Sequence, residues 1–153
     1  MDEIVFRWTD GNDPAFQHFY TVTEAYYSRI AGGKEKRSGF ISFNASGLIP
    51  DVILAYCNGA AVGCAGIKRY SDTDAEVKRL WVEPDFRGRH IAASLMDQIE
   101  EKARQMGYRR VILQTRPIMR DAVKLYEKRC YALIPNYPPY DRLAGAICYA
   151  KKL

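Results

Sequence analysis

Glu76-Val77-Lys78-Arg79-Leu80-Trp81-Val82-Glu83-Pro84-Asp85-Phe86-Arg87-Gly88-Arg89-His90-Ile91-Ala92 joins a strand, a turn and the start of a helix in one short stretch. Residues 76–82 read as a strand, and Glu83-Pro84-Asp85 ends it. A tight basic loop, Arg87 to His90, then opens a helix. A helix N-terminus carries free N–H groups and partial positive charge, so such a loop suits phosphate. Arg87 and Arg89 add full charges. A solvated loop has the same composition, so the loop alone does not select between the two readings.

The strand itself carries a second signal. Side chains alternate along a strand, which sends Glu76 and Lys78 to one face and Val77 and Arg79 to the other. A central strand packed on both faces should be nearly all apolar. Charges there mark either an exposed strand end or the lining of a site.

Outward from this stretch the elements follow a regular order. Ile4 to Trp8 is a first strand. Asp13-Pro14 reads as a helix cap followed by proline at the first helical position. Phe16, Phe19, Tyr20, Tyr27 and Ile30 then recur at helical spacing, and Gly32-Gly33 stops the helix. Val52 to Tyr56 and Ala61 to Tyr70 flank Asn58-Gly59, a strong hairpin signal. Gly63 and Gly66 mark bends or close backbone approach. Ile91, Leu95, Ile99 and Ala103 lie four apart on one helix face, Met106 continues it, and Gly107 caps the end. Val111 to Thr115 is a strand, and Ala122, Leu125 and Tyr126 mark a helix ending near Arg129. Short strands near Ala132 to Ile134 and Ala146 to Ala150 finish the chain. The fold class expected is α/β: a single domain with a mixed central sheet of six to seven strands flanked by helices.

The bulk properties exclude several classes. With 153 residues the chain has room for one domain. Its net charge of +5 suits a phosphate-bearing ligand or nucleic acid, but Lys and Arg are scattered rather than blocked. The densest run, Lys34 to Arg37, is interrupted by Glu35. Cys57, Cys64, Cys130 and Cys148 form no CxxC pair, and the two histidines are His18 and His90, so no metal site is expected. Cys130 is expected to be a small buried hydrophobe and His18 an exposed helix residue. No secretory signal opens the chain and no apolar run could span a bilayer, so the expected location is cytoplasmic, without membrane contact. Of the eleven tyrosines, six gather at Tyr20, Tyr26 and Tyr27 and at Tyr131, Tyr137 and Tyr140. Rings with polar tips suit clefts as well as cores.

Arg87 to Ala92 resembles the signature of the GNAT superfamily of N-acetyltransferases, Gln/Arg-x-x-Gly-x-Gly/Ala, at the junction of that family's fourth strand and third helix. Arg87 fills the first slot and Ala92 the last, while His90 stands where the middle glycine is usual. Ala122-x-x-Leu125-Tyr126-Glu127-x-x-Cys130-Tyr131 looks like the family's Ala-x-x-Leu-Tyr-Glu-x-x-Gly-Phe segment, with Cys130 in the glycine slot. The likeness covers about residues 51 to 153, and residues 1 to 50 match only in the order of elements.

The resemblance implies an acetyl-CoA-binding core at 51–153 and an acceptor-side region at 1–50. It implies transfer of an acetyl group to a primary amine by direct attack in a ternary complex. The pantetheine arm is expected along Leu80, Trp81 and Val82, and the pyrophosphate on backbone N–H groups from Arg87 through Gly88, Arg89, His90 and Ile91 to Ala92. Glu76 takes the place of the general base of histone-type members and Tyr126 that of the general acid. Lys78 and Arg79, beside the reaction centre, suit an acceptor with a carboxylate near its amine. The partner expected is a small-molecule or peptide amine, with no nucleic acid and with a homodimer left open. The competing reading is a non-catalytic acyl-CoA-binding module, to which His90 lends weight and the pair Glu76 and Tyr126 does not.

Overall fold

A computed structural model describes residues 2–31 and 49–153. The Ile30 side chain, the Gly32-Gly33 stop and the run 34–37 lie outside the described residues. Seven strands form one sheet in the order β1-β2-β3-β4-β5-β7-β6. They are β1 (Ile4–Thr9), β2 (Asp51–Cys57), β3 (Ala60–Arg69), β4 (Asp74–Val82), β5 (Arg110–Thr115), β6 (Ala132–Ile134) and β7 (Ile147–Lys152). The helices are α1 (Pro14–Ala31), α2 (Ile91–Gln105) and α3 (Arg120–Lys128). Among the described residues no helix is long and apolar enough to cross a membrane.

Local chemistry sets the boundaries. Asp13 caps α1: its Oδ1 accepts from the Ala15 N–H at 2.9 Å. Asn58 and Gly59 both take positive φ, 51° and 81°, as a two-residue hairpin turn demands. Helix α2 ends in a left-handed Gly107 (φ 88°), whose N–H donates to the Arg104 carbonyl while that of Tyr108 donates to Ala103. Met106 therefore leaves the apolar face at the cap and is exposed, contrary to the sequence pattern.

The two faces of the sheet bury different partners. Ile53, Ala65, Val77, Val111 and Leu113 pack against Ile91, Leu95, Ile99 and Tyr126 of α2 and α3. Val52, Leu54, Cys64 and Trp81 pack against Phe16 and Phe19 of α1. On the same face as α1, Ile112, Cys148 and Ala150 lie under Tyr137 and Tyr140. Close approach, of backbone at Gly63 and of a side chain at Gly66, explains both strand glycines. A Cβ at Gly63 would stand 3.0 Å from the Trp81 carbonyl oxygen, and one at Gly66 would stand 2.6 Å from Ile49 Cγ2.

Two irregularities position the site. Strands β4 and β5 run parallel, but they pair only at Asp74↔Arg110, Ala75↔Val111 and Glu76↔Ile112. Arg110 locks this closed end by a bidentate contact with Asp74, at 3.1 and 2.8 Å. Beyond Glu76 the strands part. The second irregularity is a bulge: Cys64 pairs Trp81 and Gly66 pairs Lys78, so Arg79 and Leu80 together oppose Ala65. Arg79 takes φ 59°. This corrects the alternation expected from sequence: the bulge turns Arg79 onto the α1 face, the face that also carries Glu76 and Lys78.

Candidate active site

The parting of β4 and β5 opens a cleft of about 800 Å³. One wall is β4 from Val77 to Val82, and the other is β5 from Leu113 to Thr115. The backbone of β4 facing this gap lies beyond its last pairing with β5, and such polar groups need partners. Among the described residues, the buried indole Nε1–H of Trp81, a residue of the same wall, meets no hydrogen-bond acceptor. A buried donor left unmade costs about 1–3 kcal/mol. A ligand with amide and carbonyl groups along this wall answers both.

At the open end lies the basic loop. A short 3₁₀ turn at Pro84–Phe86 reverses the chain after β4. Arg87 folds back, donating from Nε to the Val82 carbonyl at 3.0 Å and stacking over the Trp81 ring. Gly88 and His90 take left-handed φ of 81° and 61°. No side chain caps α2, so the N–H groups of its first turn stay available at the loop. A Cβ at Gly88 would meet nothing within 4 Å, which leaves its backbone open to an approaching ligand. Loop and helix end together form a nest for a doubly anionic group, and the residues present fit a pyrophosphate. The His90 side chain is exposed.

At the closed end lies a buried polar cluster. Glu76, on the last paired residue of β4, is 4% exposed. Its Oε2 accepts from the Tyr137 hydroxyl at 2.6 Å, and its Oε1 lies 3.5 Å from Lys78 Nζ. Lys78 in turn donates to the Tyr140 hydroxyl. Burial, reinforced by the Glu76 charge, pushes the phenols of Tyr137 and Tyr140 well above the usual tyrosine range, so both are neutral. Burial lowers the Lys78 ammonium pKa, against the opposing pull of Glu76. Lys78 lines the cleft, whereas Glu76 is absent from its walls.

Arg79 also lines the cleft, held by α1. Its guanidinium pairs with Glu24, donates to Thr23 Oγ1 at 3.2 Å and lies 4.4 Å from the Tyr20 ring centroid. Across the cleft, Tyr126 of α3 is 6% exposed. Its ring packs on Tyr131 and Tyr149, and no hydrogen bond among the described residues holds its hydroxyl. Burial, with Tyr27 nearby, pushes its pKa well above 10. The structure thus brings Lys78 to Val82, Tyr126 and most of the basic loop to one cleft. Glu76 stays behind its wall and Arg89 lies outside, over the Phe86 ring. Among the described residues no three His, Cys, Asp or Glu side chains gather to hold a metal.

A model of the acetyltransferase (GNAT) family matches residues 8–130. The chain belongs to the GNAT family. Over 96 residues it is 34% identical to an IAA acetyltransferase of Azospirillum brasilense, covering 60% of this chain and 61% of that protein. It thus spans about three fifths of the length of that curated relative. A GNAT-family acetyltransferase of Staphylococcus aureus shares the fold with a TM-score of 0.74 at 16% identity, over 97% of this chain and 99% of that one. A GNAT acetyltransferase of Elizabethkingia anophelis, solved with acetyl-CoA bound, has a TM-score of 0.69 at 17% identity, over all of both chains.

Within this GNAT fold, both departures from the family's motifs sit at left-handed backbone. His90 has φ 61° and Cys130 φ 70°. Cys130 follows α3 in a Schellman cap: its N–H donates to the Glu127 carbonyl, and that of Tyr131 donates to Tyr126. The cap turns Cys130 outward, so it is exposed rather than buried as expected. His18 is exposed, as its helix position implies. Sequence reasoning did not assign Tyr137 and Tyr140 to the site. The signal that could have found them was the tyrosine cluster near the C-terminus of this GNAT chain.

Proposed function

We propose that this protein transfers an acetyl group from acetyl-CoA to the nitrogen of a primary amine, by direct attack with both substrates bound. The observation that carries this reading is the parting of β4 and β5 after Glu76, with the basic loop at its open end. Backbone N–H groups from Arg87 to Ala92 would hold the pyrophosphate, and Leu80, Trp81 and Val82 would hold the pantetheine arm. Bound there, acetyl-CoA supplies an acetyl group activated as a thioester.

The protein's own residues then do three things. A backbone N–H near Leu80 or Trp81 meets the negative charge that gathers on the acetyl oxygen, which is worth about 3 kcal/mol in a water-poor cleft. Tyr126 faces the cleft with its proton held, and donates it toward the departing sulfur. The Glu76 cluster receives the proton that an amine of pKa near 10 must lose before attack. Arg79 and Lys78 form the acceptor-side wall, where an acceptor bearing a carboxylate near its amine is favoured.

The test is calorimetry with acetyl-CoA followed by an amine panel read by free-thiol release. Binding in the micromolar range and acceptor-dependent thiol release are expected. Absence of binding at millimolar acetyl-CoA overturns the reading, and binding without release on any amine favours the acyl-CoA-binding module.

A further inference from the structure

We propose that Trp81 is a positioning residue for the basic loop. Its indole ring is the platform on which Arg87 rests, and through Arg87 it holds the loop in place for the pyrophosphate; this rests on the acetyl-transfer reading.

The loop has few anchors of its own. The Phe86 N–H donates to the Glu83 carbonyl at 2.9 Å, and that of Arg87 donates to Pro84 at 3.3 Å. Beyond Arg87, the N–H groups of Gly88, Arg89 and His90 meet no acceptor among the described residues. Those are the donors a pyrophosphate would take, and a run of unpaired donors does not hold its own shape. Arg87 is therefore the last fixed point before them. It is exposed, and among the described residues no carboxylate pairs with it. Two contacts hold its side chain instead. Nε donates to the Val82 carbonyl at 3.0 Å, and Cζ lies 4.9 Å from the centroid of the Trp81 ring, inside the range of a cation–π contact.

The two partners of that contact are unequal. Trp81 is 7% exposed, sits in the apolar layer with Phe16 and Phe19 of α1, and meets the Tyr26 ring edge-on at 5.1 Å. The core fixes the ring and leaves the arginine exposed, so the ring sets where Arg87 lies. Stacking uses the face of a guanidinium and hydrogen bonds use its edge, so Arg87 can lie on the ring and still offer N–H groups to a phosphate. The contact also links the two faces of the sheet. Trp81 packs on the α1 face, and the loop leads into α2 on the other.

The contact is tested first without ligand. In a Trp8→Phe background Trp81 is the sole tryptophan. Arg87→Gln should uncover its ring and raise the acrylamide quenching constant of its emission by about twofold, as expected when a covering arginine is removed. Calorimetry then compares acetyl-CoA with S-acetylpantetheine, which lacks the pyrophosphate. Trp81→Leu keeps an apolar side chain and removes the ring face. The ratio of the two dissociation constants should move against acetyl-CoA by about 3- to 30-fold, the worth of a cation–π contact. Taking the ratio cancels any disturbance of the β4 wall, which both ligands share. Arg87→Gln should move the ratio at least as far, and adding Trp81→Leu to it should move it no further. Trp81→Phe keeps a smaller ring face and serves where the leucine variant does not fold. Its effect on the ratio should be smaller and should vanish in the Arg87→Gln background. An unchanged quenching constant, equal losses for both ligands, or a Trp81 effect that persists undiminished in the Arg87→Gln background overturns the inference. Failure of the unsubstituted protein to bind acetyl-CoA overturns the acetyl-transfer reading instead.

Discussion

The two sides of the cleft are built by opposite strategies. The side assigned to acetyl-CoA is mostly backbone: unpaired β4 groups, a glycine-bearing loop and the first turn of α2. The side proposed for the acceptor is made of buried charges and rings: Arg79 with Glu24, Tyr20 and Tyr27, and Lys78 with Glu76, Tyr137 and Tyr140. Backbone recognition tolerates side-chain change as long as φ and ψ are kept. Buried charge pairs do not, because removing one member strands the other in a low-dielectric site.

The sharpest way to break this comparison is Tyr126→Phe, which deletes a hydroxyl that no described residue bonds. A loss of kcat of about ten- to a thousand-fold is expected, since proton donation of this kind is typically worth 10²–10⁴. Melting temperature and acetyl-CoA affinity should hold steady. Full activity at saturating substrate would remove Tyr126 from the chemistry.

Arg79→Ala should show the cost of the other strategy. The Arg79 side chain is 2% exposed and that of Glu24 is 15%. Truncation removes a buried guanidinium from beside Glu24, Thr23 and Tyr20 and should destabilise the fold by about 3–5 kcal/mol. Chemical denaturation reads this directly. A loss below about 1 kcal/mol, the value of a surface pair, would show that the acceptor wall is not built on this ion pair.

His90→Gly and Cys130→Gly probe the tolerant side with a smaller effect of opposite sign. Each replaces a side chain at left-handed backbone, where L-residues other than glycine pay about 1–2 kcal/mol. After the chain entropy of glycine is offset, each should gain about 0.5–1 kcal/mol, raising Tm by about 1–4 °C. Acetyl-CoA affinity should stay within about threefold for His90→Gly if the loop binds through its backbone. A tenfold loss would assign the imidazole to the ligand.

The smallest effect concerns the acceptor. Lys78 and Arg79 each have a carboxylate of the protein beside them, so the wall is already balanced. Carboxylate-bearing amines should outperform spermidine-like polyamines in kcat/KM by a few-fold, about 1 kcal/mol or less. A screen led by polyamines would place the Glu76 and Glu24 charges, rather than the cations, in command of selectivity.

Much of this was legible locally. Asp13-Pro14, Asn58-Gly59 and Gly107 mark their boundaries by chemistry that acts within a few residues. The helical spacing of Ile91, Leu95, Ile99 and Ala103 and the basic loop were readable for the same reason. The likeness carried Tyr126 to its position on α3. What could not be read in this way depends on contacts across the sheet. The bulge at Arg79 breaks the two-residue period by which strand faces are assigned, and it arises from how β4 meets β3 at Cys64 and Gly66. Tyr137 and Tyr140 reach Glu76 and Lys78 from about sixty residues away. Sequence by itself determined the order of elements, the basic loop before α2 and the family, because periodicity, capping and loop chemistry are short-range. Tertiary structure alone decided that Glu76 and Lys78 are buried together against Tyr137 and Tyr140, because burial and pairing belong to neighbours that only folding brings together.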